Sequence, residues 1–297
     1  MEKYNGTIYR PPVEAGTFLF PLTEGCTHNK CTFCNMYHGV RFRVLPLEEL
    51  EDILARARWG YRHYYDKIER VYFVGADPFA LPAERLLERI ELVRRHLPKA
   101  ATFTMYARVE NVARKSDADL AALQQAGVDD LYLGIECGLD DVLDYMKKGY
   151  STAEIREQCA RLNEAGIHHS DLLMLGCGGA GRWLECARAT AELENATRPT
   201  QVLINTISAF EGTQLQADIE SGKFVPASEL ECLQEERELL TLMEDEDLYF
   251  WANHPLDAVK IEGIVGEERD LMLADLDYDI AHYGDCKINR VARTGKL

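Results

Sequence analysis

Val71-Tyr72-Phe73-Val74-Gly75 followed by Pro82 to His96, then Thr102 to Tyr106 followed by Ser116 to Ala126, is the stretch that decides the fold. A short run of β-branched and aromatic residues gives way to a segment with apolar residues three and four apart, and the alternation repeats. Ser116 stands as N-cap, with Asp119 in the capping-box position. Upstream, Thr17-Phe18-Leu19-Phe20-Pro21-Leu22 predicts a strand whose proline suits an end or an edge. Leu47 to Tyr65 predicts a helix opened by Pro46, with Leu47, Leu50, Ile53, Leu54 and Ala57 on one face. Downstream the reading gives Asp130 to Ile135 (strand), Thr152 to Ala165 (helix), Asp171 to Leu175 (strand), Trp183 to Glu194 (helix) and Gln201 to Ile207 (strand). Gly127, Gly166 and Pro199 mark helix ends.

Strand-then-helix units imply an α/β fold with parallel strands and right-handed crossovers. Six units are too few for a closed eightfold barrel, so a partly open barrel or a doubly wound sheet fits, and the expectation taken is a partial (β/α)6 barrel with a C-terminal, mostly helical extension. The core is expected at 1–215 and the cap or extension at 216–297. A charged helix is read from Glu229 to Glu244, and no clear strand alternation is read from Trp251 onward.

The 297 residues carry 33 Lys+Arg against 50 Asp+Glu, a formal charge of −17. That balance argues against a polynucleotide partner, because phosphate binders concentrate Lys and Arg. No stretch reaches the ~20 apolar residues of a membrane span, and Met1-Glu2-Lys3-Tyr4-Asn5 opens no signal peptide. Nine cysteines, an odd number, then point to a reduced, cytoplasmic protein whose thiols pack, ligate metal or react.

The loop after the first strand reads Glu24-Gly25-Cys26-Thr27-His28-Asn29-Lys30-Cys31-Thr32-Phe33-Cys34. Three thiols in so short a loop can wrap one metal centre. Two centres are open: a closed Cys3His zinc site using His28, which would make the chain a zinc-stapled, non-catalytic α/β binding module, and a [4Fe–4S] cluster on Cys26, Cys31 and Cys34 with one iron left without a protein ligand. His28 sits closer to its neighbours than zinc ligands usually do, which favours the cluster.

The loop, with Phe33 just before its last cysteine, resembles that of the radical S-adenosylmethionine (SAM) superfamily. The usual spacing there is three and then two residues; here it is four and then two. Gly75-Ala76-Asp77-Pro78 stands where the family has a Gly-Gly-Glu/Thr-Pro segment. Gly134-Ile135-Glu136-Cys137-Gly138 with Leu143-Asp144-Tyr145-Met146-Lys147-Lys148-Gly149 is similar to a run of the elongator-type and coproporphyrinogen-dehydrogenase-like branch, and Glu211-Gly212-Thr213 resembles its closing turn.

The resemblance implies an enzyme with two cofactors, a [4Fe–4S] cluster and SAM. It implies reductive cleavage of SAM to a 5′-deoxyadenosyl radical that abstracts hydrogen from a small molecule, and an electron donor such as flavodoxin or ferredoxin. A lyase or oxidoreductase acting on a nucleoside or tetrapyrrole-like metabolite is the subtype read here. By resemblance, Cys26, Cys31 and Cys34 bind the metal, while Phe33, Gly75, Ala76, Asp77, Glu136 and Lys148 bind the cofactor. Tyr106, Arg108 and Cys177, at strand ends, are the catalytic candidates. No second cysteine cluster is read from the spacing, and Cys186 is expected to be inert.

Overall fold

The computed structural model describes residues 8–282. In chain order the elements are β1 (Phe18–Pro21), β2 (Thr23–Glu24), β3 (Arg43–Val44), α1 (Leu47–Gly60), β4 (Arg70–Val74), α2 (Ala83–His96), β5 (Thr102–Ala107), α3 (Val109–Ala113), α4 (Asp117–Gln125) and β6 (Val128–Glu136). There follow α5 (Asp140–Tyr145), α6 (Thr152–Ala165), β7 (His168–Leu175), α7 (Trp183–Thr197), β8 (Gln201–Thr206), α8 (Gln214–Glu220), α9 (Glu229–Leu242), β9 (Tyr249–Ala252), β10 (Ile261–Ile264) and α10 (Val265–His282). Eight strands form one sheet in the order β1-β4-β5-β6-β7-β8-β9-β10; β2 and β3 pair separately. The sheet is mostly parallel, with β10 running antiparallel to β9. This is the expected α/β architecture, and no closed barrel is formed among the described strands.

The described chain divides into two compact units, one comprising residues 8–29, 37–133 and 160–169, the other 30–36, 134–159 and 170–282. In the first, Phe73 packs between Phe20 and Phe103 (ring centroids 6.2 and 5.2 Å away). Its neighbour Tyr72 takes the opposite face beside Tyr106 and Tyr132. Burial on both faces is why β4 reads as an unbroken apolar run. Arg70 pairs with the buried Glu14 at 2.7 Å, and Tyr132 donates to the same carboxylate. Ser116 and Asp119 form the expected capping box at the start of α4.

In the second unit, β8 pairs in parallel with both β7 and β9. Here the structure departs from the sequence reading, because β9 and β10 continue the sheet through the segment expected to lack strands. Phe250, Trp251 and Ala252 are all buried, but β9 is followed by β10 rather than by a helix, so it does not continue the strand–helix repeat. Helix α1 also ends earlier than read, at Gly60, with a 3-10 turn at Tyr65–Lys67. No described helix is long and apolar enough to cross a membrane.

Candidate functional site

The first unit contributes the start of the cysteine loop. Cys26 is half-buried, and its Sγ accepts the backbone N–H of Asn29 at 3.3 Å. Burial pushes this thiol up, opposed by backbone donors from Asn29 and His28 and by the charge of Arg108. Gly75 follows β4, and only glycine fits there: a Cβ would stand 2.0 Å from Thr23 Oγ1, and φ is +154°.

Asp77 is wholly buried. Its Oδ2 accepts the Thr27 hydroxyl at 2.6 Å and the Asn111 amide at 2.7 Å. Its Oδ1 is buried and has no hydrogen-bond partner among the described residues. Burial raises the carboxyl from 3.8 to about 6, although Thr27, Arg108 and Asn111 pull the other way. An orphaned buried carboxylate oxygen is a place for a cationic ligand. Arg108 is buried and bonds Glu110 at 2.7 Å. Tyr106 stands edge-on to Tyr72 and Tyr132.

The second unit gathers Phe33, Glu136 and Lys148. Glu136 ends β6 in a left-handed conformation (φ +68°) and accepts Lys148 Nζ at 2.7 Å. Lys148 is 4% exposed, so it is not a solvated lysine. Its ammonium stands 5.9 Å from the Phe33 ring centroid and 5.6 Å from that of Tyr150. Phe33 belongs to a segment tied down on both sides: Thr32 N–H donates to Met146 O at 3.2 Å, and Leu215 N–H donates to Thr32 O at 2.9 Å. Cys34 N–H closes a turn onto Cys31 O at 3.3 Å, and both thiols are half-buried. Cys177 is buried instead, beside Cys137 and Cys186. The sequence reading missed that grouping, because positions 137, 177 and 186 share no local spacing.

A family model described as the radical SAM superfamily matches residues 20–180. The chain belongs to the radical SAM superfamily. It is therefore an enzyme of the SAM and [4Fe–4S] type, and the zinc-stapled binding module is set aside. A curated relative, the 4′-phospho-dehydrooxetanocin synthase of Priestia megaterium, is 28% identical over 156 residues, covering 47% of this chain and 20% of the relative. The chain thus spans about a fifth of the length of that relative. Among solved structures, Elp3 of the archaeon Methanocaldococcus infernus (lacking its N-terminus) superposes with a TM-score of 0.58 at 15% identity, covering 87% of this radical SAM chain and 63% of Elp3. Coproporphyrinogen III oxidase (HemN) from Escherichia coli gives 0.52 at 15% identity, covering 76% and 52%. At such identities the likeness is one of fold alone.

Proposed function

We propose that Cys26, Cys31 and Cys34 hold a single [4Fe–4S] cluster and that the enzyme acts on a small molecule by hydrogen abstraction. One observation carries the ligand assignment. Among the described residues, these three are the cysteines that keep solvent access, whereas Cys137, Cys159, Cys177, Cys186 and Cys232 are buried. A cluster that must be assembled from outside and leave one iron open needs accessible thiols.

Bound together, cluster and SAM supply reductive cleavage of the sulfonium and a radical able to take a hydrogen atom. The chain's own groups bind and orient. Gly75 and Ala76 offer backbone carbonyls to the SAM ammonium, and the orphaned Oδ1 of Asp77 adds a negative charge for it. Glu136 gives one carboxylate oxygen to Lys148, and the other is assigned to the SAM hydroxyls. Lys148, held by Glu136 in a poorly hydrated setting, is assigned to the SAM carboxylate, and Phe33 to the adenine. Tyr106, Arg108 and Cys177 are the catalytic candidates, each at or just past the end of a strand.

Residues 1–215 contain every one of these groups, and 216–297 is proposed as an extension of the core, with 283–297 outside the described residues. The substrate is proposed as a nucleoside or tetrapyrrole-like metabolite, and the electron donor as flavodoxin or ferredoxin. The test is reductive cleavage of SAM by anaerobically reconstituted protein, read as 5′-deoxyadenosine. Formation with dithionite, abolished in the Cys26→Ala, Cys31→Ala and Cys34→Ala variants, is expected. No product from iron-replete protein would refute the proposal.

A further inference from the structure

Three cysteines away from the metal loop converge in the second unit. Cys137 follows β6, Cys177 follows β7, and Cys186 lies at the start of α7; their Sγ atoms are all within 4.8 Å of one another. Each is at most 1% exposed. Their apolar neighbours include Val142, Met146, Leu139 and Ile207, and Phe33 packs on the same cluster. The backbone is shaped for this approach, since a Cβ at Gly178 would stand 2.5 Å from Cys186 Sγ. Two polar groups reach in. Gly138 N–H donates to Thr190 Oγ1 at 3.0 Å, and that hydroxyl points at Cys137 Sγ at 3.8 Å. Glu235 accepts the N–H of Gly176, the residue before Cys177, at 3.0 Å.

We propose that Cys137, Cys177 and Cys186 form a second metal site, taking one thiophilic d10 ion, zinc or cuprous copper, which clips the ends of β6 and β7 to α7. Soft thiolates select such ions. Thiolates bound to one ion at about 2.3 Å stand roughly 4 Å apart, which sulfurs already within 4.8 Å can reach with small side-chain shifts. A four-iron cubane does not suit, because it spreads its thiolates over separate irons.

The electrostatics agree with that geometry. Hydrogen bonds from Cys177, Cys186 and Thr190 hold the Cys137 thiol well below its ordinary range, while Cys177 and Cys186 rise. Burial raises the Glu235 carboxyl well above its ordinary range, opposed by the hydrogen bond from Gly176. As the ion enters, thiol protons leave to solvent, and occupancy therefore increases with pH. Because Phe33 rests on this cluster, the clip stiffens the support of the Cys31–Cys34 segment.

The test uses the full chain carrying Cys26→Ala, Cys31→Ala and Cys34→Ala, which removes the loop thiols. It is exposed anaerobically to zinc alone or cuprous ion alone, and bound metal is counted after gel filtration. Expected is one ion per chain in one arm, with sulfur scatterers at about 2.3 Å by X-ray absorption. Adding Cys137→Ser or Cys177→Ser should weaken binding roughly tenfold or more, while Cys159→Ser should leave it intact. No stoichiometric ion in either arm, or undiminished binding in the serine variants, overturns the site. If those variants fail to fold, X-ray absorption on the loop variant decides alone, and fewer than three sulfurs refutes the proposal. Iron in the unaltered protein is counted separately, so failure of this site and failure of the loop cluster are distinguishable.

Discussion

Lys148 Nζ donates to Glu136 Oε1 across 2.7 Å, with 4% and 9% of the two residues exposed. Two residues that lie twelve positions apart in the chain are thus one buried ion pair. The two charges are buried together, so neither can be replaced without stranding its mate.

Lys148→Met should destabilise the protein by about 3–5 kcal/mol, the cost of leaving a buried charge without its partner. The double variant Glu136→Gln/Lys148→Met should cost less than the two single changes added together. Denaturant unfolding of the four proteins checks this, and strict additivity would contradict it. Calorimetry on reconstituted protein should show Glu136→Ala binding SAM about 10- to 150-fold more weakly, as expected for charge-assisted hydrogen bonds worth about 1.5–3 kcal/mol.

Asp77 has a pH signature. Its carboxyl lies at about 6 when folded and 3.8 when unfolded, so the native state holds the proton more tightly. Its contribution is favourable at low pH and is lost as pH rises from about 4 to about 6. The gap corresponds to about 3 kcal/mol. Asp77→Asn should therefore stabilise the cofactor-free protein above pH 6, by up to that amount, and make no difference below pH 4. Thermal midpoints measured from pH 4 to 8 read the effect; equal midpoints at pH 7.5 would rule it out.

Gly75→Ala should destabilise by more than the about 1–3 kcal/mol of an unfavourable backbone conformation, because the added methyl also strikes Thr23. Adding Thr23→Ala should restore only the part due to the clash. Full recovery in the double variant would show that the φ of +154° costs nothing.

The repeating strand–helix core was legible because its signals are local. Ser116 with Asp119 announces α4, the continuous run Val71–Val74 announces a strand buried on both faces, and Thr152–Ala165 has clean helical periodicity. Elements of one or two turns, such as α5 at Asp140–Tyr145, carry too few residues to show a period. Strand β9 was missed although Tyr249 to Ala252 is as apolar as Val71–Val74, because it is four residues long and is followed by β10 rather than by a helix, so it completes no strand–helix unit. At the site, chain proximity made Cys26, Cys31 and Cys34 visible. The pairing of Glu136 with Lys148 and the gathering of Cys137, Cys177 and Cys186 are tertiary, created by the approach of β6, β7 and their following helices, and no spacing rule reports them.

The most direct measurement is the iron content of anaerobically reconstituted protein, beside the Cys26→Ala/Cys31→Ala/Cys34→Ala variant. About four iron atoms per chain, with brown absorbance, are expected in the unaltered protein. Both should disappear from the variant while its fold, read by circular dichroism, is kept. Full iron in the variant, or zinc in place of iron in the unaltered loop, would contradict the assignment of these three thiols.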